Sequence, residues 1–394
     1  MSNVIPFTLS RRHAPTPLPR QGDRAGRQAA LIALFAQKRR GQGDVFWLKE
    51  NAELLNILES TGAGRRRAGI PAAPLPDGAL SPHQALYDRI EERLRFFPQY
   101  YRFFLSICLD LEDLGFGGSK GEALVQQALR VGLADAELSD LQRAEARRLM
   151  QRRGRDPIAD STGLTARLLA FAGRSATFAV PNKKAAYELT HICFYLSDYG
   201  RLQTDFPRAV QKSLNFAGTL AYLDANADLL AEICVALRQA GQTPPQAWES
   251  WLAVETARFQ LLDSGNGGGA AGGVMAQDGY HEFLVSNWAL GVSGDDAFAH
   301  DVPEGRVQFR TPRRAASPLL AMSRHLLEDE RRSGDWEVMR GPLAETLWQA
   351  EPQALDLLAD AEAACEDFPA FFETFARAGS AAIGTRAHLH GVPL

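Results

Sequence analysis

The spacing of apolar residues has a helical period along most of the chain. Apolar side chains recur every three or four residues in segments that run from about residue 27 to about residue 378, which is typical of amphipathic helices. Strand-like patterns are confined to 306–310 and 175–180, and alternating strand–helix units are absent. We therefore predict an all-α fold built from antiparallel helix pairs, either α/α toroid-like or a looser multi-helix bundle.

Proline and glycine positions divide this pattern into individual helices. Pro98 should split the segment that begins at Ser81. The predicted helices span about 27–40, 45–59, 81–114, 119–132, 136–153, 159–172, 182–200, two or three helices within 205–240, then 243–263, 275–291, 314–332, 336–349, 353–364 and 367–378.

Composition shifts suggest three parts. Residues 1–22 are Pro-rich with little periodicity and are predicted to form an extended arm. Residues 23–79 form a helical N-terminal extension, and 80–394 form the main α-helical domain. A Gly-rich stretch at 264–273 is predicted to be a flexible loop within that domain.

Charge and cysteine usage narrow the functional classes. The net charge is -4, with about +6 in residues 1–80 and about -10 in the remainder. The basic runs are not interleaved with aromatic residues, which argues against nucleic-acid binding. No apolar stretch is long enough to span a membrane, and the N-terminal residues do not predict an export signal. Four isolated cysteines fit a reducing compartment, so we predict a cytoplasmic protein. No pattern indicates an oligomeric state.

The segment 185–200 carries a polar stripe on an otherwise apolar helix. At about 100° per residue, Glu188, His191, Tyr195 and Asp198 fall within an arc of roughly 80°. Unpartnered buried carboxylates and imidazoles are costly, so these groups should face partners, a metal or a cavity. Two interpretations remain open: a functional site, or a satisfied hydrogen-bond network in a helix–helix seam.

A second polar cluster surrounds Tyr280 and His281. His281 lies near the predicted start of an apolar helix that contains Phe283 and Trp288. A helix N-terminus disfavours a cationic imidazole, so we expect His281 to be neutral and available as a base or ligand. The alternative is a polar residue that merely closes the helix end.

The residues of these two clusters resemble known sequence motifs. The residues Leu-Thr-His at 189–191, Phe-Tyr-Leu-Ser-Asp-Tyr-Gly at 194–200 and Tyr280-His281 resemble motifs of an uncharacterised helical bacterial protein family. The resemblance implies that His191, Asp198, Tyr280 and His281 belong to one site, and it implies no known activity. The helix pairs are also similar to α/α toroids, whose central cavities host cyclases, hydrolases and epimerases.

Two functional hypotheses follow. In the first, the chain is an enzyme in which His191, Asp198 and His281 perform acid–base chemistry on a small molecule or modified peptide, assisted by Glu188 and Tyr280. The same three residues would hold a divalent metal if one binds. In the second, the chain is a non-catalytic helical adaptor that binds a protein partner through its basic N-terminal region or the aromatic-rich segment 96–104.

Overall fold

Helices dominate the architecture. The structure is a computed structural model that describes residues 22–67, 74–263, 278–294, 296–311 and 317–377. Within those ranges it contains eighteen α-helices, two short 3-10 turns and one two-stranded sheet. The all-α prediction is therefore confirmed, whereas a toroid-like arrangement stays a prediction.

The helices follow one another with short connections. In chain order they are α1 (Arg24–Gln37), α2 (Val45–Arg67), α3 (Gln84–Asp88), α4 (Ile90–Phe96), α5 (Tyr101–Asp113), α6 (Lys120–Val131), α7 (Asp140–Gln151), α8 (Ser161–Ala172), α9 (Ser175–Phe178), α10 (Lys183–Leu196), α11 (Arg208–Leu223), α12 (Ala227–Gln239), α13 (Gln246–Ala257), α14 (Tyr280–Ser293), α15 (Pro318–Glu328), α16 (Trp336–Ala350), α17 (Gln353–Ala364) and α18 (Phe368–Ala376). The 3-10 turns are Ser81–His83 and Pro98–Tyr100.

Helix α12 lies at the centre of the packing. It contacts α10, α11, α13 and α14, and ten of its thirteen residues are buried. Its sequence explains this position, because apolar residues cover most of its circumference and leave little polar surface for solvent. The side chain of Asn226 caps the helix by accepting a hydrogen bond from the Leu229 amide.

Helix α2 packs directly on the helices of the predicted main domain. It contacts α5 and α14 as well as α1. A buried ion-pair network reinforces this contact: the Arg39 guanidinium lies 3.0 Å from Glu50 and 2.9 Å from Asp278. One face of α2 is thereby fixed beside the start of α14.

The two short strands are the main departure from the predicted elements. Strand β1 (Gln260–Asp263) pairs antiparallel with β2 (Val307–Arg310), with Gln260 opposite Arg310. The strand signal at 306–310 is confirmed, and its partner occupies the end of a segment predicted to be helical. Helix α13 ends at Ala257 instead of continuing to 263. The strand-like segment 175–180 is wrong as a strand, because it forms α9.

None of the helices in the described ranges is long and apolar enough to cross a membrane. The Pro-rich arm up to residue 21, the Gly-rich loop at 264–273 and the C-terminal His388 and His390 lie outside the described residues.

Candidate functional site

A cavity of about 270 Å³ lies among α2, α5, α7, α10, α12 and α14. Both histidines singled out in the sequence line it, His191 from α10 and His281 from α14. Apolar and aromatic side chains form much of the remaining wall, and they include Phe103, Phe194 and Trp288. Charged and polar side chains form about half of the lining, so the cavity combines an aromatic wall with several convergent polar groups.

Three carboxylates surround His281. Its Nδ1 lies 2.9 Å from Asp228 Oδ1, and its Nε2 lies 3.9 Å from Glu53 Oε1 and 3.9 Å from Glu232 Oε1. Asp228 and Glu232 stand one helical turn apart on α12, so both face α14. Helix α2 supplies Glu53 from the opposite side. The Glu53 carboxylate also lies 3.6 Å from the Lys49 ammonium.

Burial and the neighbouring charges shift the pKa values of His281 and Glu232. Burial alone would lower the pKa of His281, but the hydrogen bond and charge of Asp228, with Glu53 and Glu232, raise the pKa to about 9. The expectation of a neutral His281 is therefore wrong, because the three carboxylates outweigh the effect of burial. Burial raises the pKa of Glu232, against the attraction of His191 and His281.

His191 is held in one orientation by its own helix. Its Nδ1 lies 2.6 Å from the Tyr187 carbonyl oxygen, so Nδ1 carries the proton that it donates. A neutral ring then has its lone pair on Nε2. The Tyr187 hydroxyl donates to Asp228 at 3.0 Å, and the Thr190 hydroxyl donates to Glu232 at 2.6 Å. One turn of α10 thus positions His191 and both acidic residues of α12.

Tyr280 does not line the cavity but supports it. Its hydroxyl hydrogen-bonds to Glu53, and burial raises the pKa of this hydroxyl, with further contributions from Glu53 and Glu50. Its ring packs against Phe35 and under the Arg39 guanidinium, whose carbon lies 5.2 Å from the ring centre. Tyr280 therefore positions Glu53 beside His281.

Asn56 and Arg148 contribute buried polar groups to the cavity wall. The Asn56 side chain is 5% exposed, and neither its amide nitrogen nor its oxygen has a hydrogen-bond partner among the described residues. The Arg148 guanidinium is buried and stacks over Tyr199 and Tyr195, 4.4 Å and 5.4 Å from the ring centres. The buried Asn56 amide needs water or a ligand to complete its hydrogen bonds.

Asp198 lies apart from the histidines. Helix α10 ends at Leu196 and Asp198 adopts a left-handed φ of 45°, so the helical repeat that placed Asp198 on the stripe stops before it. Its carboxylate lies 3.3 Å from Arg201 and 3.5 Å from Arg148, in a cleft that shares Arg148 and Tyr195 with the cavity but is lined by neither histidine. Glu188 is half-buried and is not among the described residues that line the cavity.

A family model for a domain of unknown function, DUF6902, matches residues 1–378. The chain belongs to this DUF6902 family. Neither a curated protein nor a solved structure matches it. The DUF6902 match covers α1 and α2 together with the helices of the predicted main domain, and it assigns no activity to the cavity.

Sequence reasoning missed all three carboxylates that surround His281 in this DUF6902 protein. Asp228 and Glu232 carry the same signal as the stripe on α10, because they are acidic residues four positions apart on an apolar helix. That spacing could have identified them. Glu53 and Asn56 lie three positions apart on α2, but many exposed helices show such a pattern, and only the packing of α2 on α14 turns it toward the cavity.

Proposed function

We propose that this chain is an enzyme that performs acid–base or metal-assisted chemistry on a small molecule held in the cavity between α2, α10, α12 and α14. The observation that carries the proposal is the convergence of His191, His281 and Glu232 on one cavity that also has an aromatic wall. A solely structural network would satisfy its own polar groups, whereas here Asn56 lacks partners among the described residues.

The geometry supplies the parts of a proton-transfer site. His191 presents Nε2 while its Nδ1 is held by a backbone carbonyl, and His281 is held through Nδ1 by Asp228. An imidazole oriented through one nitrogen can exchange a proton with substrate through the other. The cavity volume of about 270 Å³ lies just below the range of about 300–1,000 Å³ that is typical of small-molecule sites. The aromatic wall would hold an apolar body, and Arg148 would favour an anionic group.

Comparison of metabolite profiles tests this proposal and needs no candidate substrate. The purified protein is incubated with a small-molecule cell extract, and consumed or formed compounds are identified by mass spectrometry. We expect the wild type and Glu188→Gln to change the same compounds, and His191→Ala to change none of them. Equal profiles for wild type and His191→Ala, or a wild-type profile that matches heat-inactivated protein, would count against an enzyme.

A cytoplasmic location is part of the same proposal. All four cysteines are free and buried, as expected for a protein of the reducing cytoplasm. We propose this location for the enzyme.

A protein-binding role is a second candidate, because part of the aromatic-rich segment 96–104 stays exposed in the folded chain. Tyr101 and Phe104 are buried, whereas Phe96 and Phe97 are 76% and 42% exposed with ring centres 4.7 Å apart. An adaptor would use such an exposed pair. Replacing Phe96 with a photo-crosslinking amino acid in cells should then give one specific adduct, and the absence of an adduct would argue against this role.

A further inference from the structure

We propose that His281 Nε2, Glu232 and Glu53 bind one divalent transition-metal ion, with Asp228 orienting the His281 ring and His191 facing the same space. This site goes beyond the proposed function, because a metal ion can bind there whether or not the cavity performs a reaction. It also differs from the set His191, Asp198 and His281 expected from the sequence.

The orientation of His281 is the first argument. The ring uses Nδ1 for Asp228 at 2.9 Å, which leaves Nε2 directed between two other carboxylates. Metal-binding histidines in proteins are commonly held in this way, since a carboxylate or carbonyl on the second nitrogen fixes the ring and increases its basicity. His191 has the equivalent arrangement, with the Tyr187 carbonyl on its Nδ1.

The separations between donor atoms are the second argument. Glu53 Oε1 and Glu232 Oε1 each lie 3.9 Å from His281 Nε2, which is too long for a hydrogen bond. Around a tetrahedral ion with bonds of about 2.1 Å, neighbouring ligand atoms lie roughly 3.4 Å apart. Bringing either glutamate oxygen to this distance from His281 Nε2 requires a side-chain shift of roughly half an ångström. Among the described residues, the ligand atoms that lie within 4.8 Å of one another belong to Asp228, Glu232 and His281, so Glu53 must also move toward Glu232 to share an ion with it.

The charge balance is the third argument. Glu53, Asp228 and Glu232 bring three carboxylates together around His281, and the ammonium of Lys49 lies 3.6 Å from Glu53. Three carboxylates and one ammonium leave two negative charges beside the imidazole. A divalent ion bound there would balance these two charges.

Unsatisfied donors and acceptors are an independent argument that something polar occupies this space. Asn56, three residues from Glu53 on α2, is 5% exposed and makes no side-chain hydrogen bond among the described residues. Glu53 Oε2 is buried and likewise has no hydrogen-bond partner there. Water molecules bound to an ion would provide the donors and acceptors that Asn56 lacks. Mixed imidazole and carboxylate ligands favour zinc, manganese or iron.

Calorimetric titration with Zn²⁺, Mn²⁺ and Co²⁺ tests the site in full-length, untagged, chelator-treated protein. All variants carry His388→Ala and His390→Ala, which remove a competing pair of histidines near the C-terminus. We expect one ion per chain for at least one metal and a higher melting temperature with that metal. Glu232→Gln and His281→Ala should weaken binding by more than roughly a hundredfold, and Asp228→Asn by roughly ten- to a hundredfold.

Glu188→Gln is the matched control, because Glu188 is a half-buried carboxylate on α10 outside the cavity. It should bind metal as the wild type does. Melting curves without metal identify any variant that does not fold, and Glu53→Gln then replaces Glu232→Gln. Absence of binding to the wild type, or equal binding by wild type, Glu53→Gln and His281→Ala, would overturn the proposal. Metal binding without any change in metabolite profiles would retain this site and reject the enzyme.

Discussion

His83 should make the stability of the protein depend on pH, although it lies outside the cavity. Its side chain is fully buried in the turn Ser81–His83, with Nε2 2.8 Å from Asn51 Oδ1. The Asn51 amide nitrogen donates to the carbonyls of Phe35 and Trp47, so Oδ1 must be the acceptor that faces His83. The neutral His83 ring therefore carries its proton on Nε2, and its buried Nδ1 has no hydrogen-bond partner among the described residues.

The magnitude follows from the pKa of this histidine. Burial lowers the pKa of His83 from 6.5 to about 4, against a smaller opposing contribution from the Leu80 backbone. Between these values the unfolded chain binds a proton that the folded chain does not, so stability falls as the pH falls. The full difference corresponds to about 3 kcal/mol, of which about 2 kcal/mol is lost between pH 7 and pH 5.

Urea unfolding of wild type and His83→Gln at pH 7, 6 and 5 measures this contribution. Glutamine can keep the hydrogen bond to Asn51 but does not titrate, so the difference between the two proteins removes the effects of other groups. We expect the stability advantage of the wild type to shrink by about 2 kcal/mol from pH 7 to pH 5. Parallel pH profiles for the two proteins would refute the assignment of a buried neutral imidazole.

Two further predictions concern packing and buried charge, both measured by urea unfolding. Gly218→Ala should cost about 1–3 kcal/mol, because the new methyl carbon would lie 2.3 Å from the Trp248 ring. Trp248→Phe should relieve part of that cost in the double variant, and strictly additive losses would contradict the clash. Arg39→Met should cost about 3–5 kcal/mol, because Glu50 and Asp278 lose a buried cation. A loss below about 1 kcal/mol would show that this network is dispensable.

The sequence predicted helices well where a local signal sets the first helical residue. Helix α17 spans Gln353–Ala364 and α16 spans Trp336–Ala350, within a residue of the expected ranges. At α16 the Asp335 side chain accepts a hydrogen bond from the Glu337 amide, and at α17 a proline stands just before the first helical residue. Such caps involve residues two or three positions apart, so a linear pattern contains them.

The pairing of strands that lie far apart in the sequence could not be predicted from such local signals. Residues 260–263 continue an amphipathic pattern, yet they form β1 because Val307–Arg310 pairs with them from a distant part of the chain. The Gly279 amide also donates to the Phe309 carbonyl at 2.9 Å, which joins β2 to the start of α14. No local rule specifies which segment will satisfy such backbone groups.

The candidate site was partly predictable for a related reason. His191 and His281 stand out because each interrupts an apolar helix, and the structure brings them to one cavity. Asp198 was placed with them by extending the helical repeat, but the left-handed φ after the end of α10 turns it toward Arg201. The contribution of Glu53 depends on how α2 packs against α14, which a one-dimensional pattern does not contain.

The composition of α12 favours a functional over a structural interpretation of the cluster formed by Asp228, Glu232 and His281. This helix buries ten of its thirteen residues, and apolar residues at all its inward positions would pack at lower cost than carboxylates. Asp228 and Glu232 nevertheless occupy adjacent turns, and Tyr187, Thr190 and His281 are arranged around them. Buried charge of this kind is a weak source of stability, and natural proteins commonly sacrifice stability where function requires strained or charged groups. The composition of α12 therefore supports the proposal that this cluster binds an ion or transfers a proton.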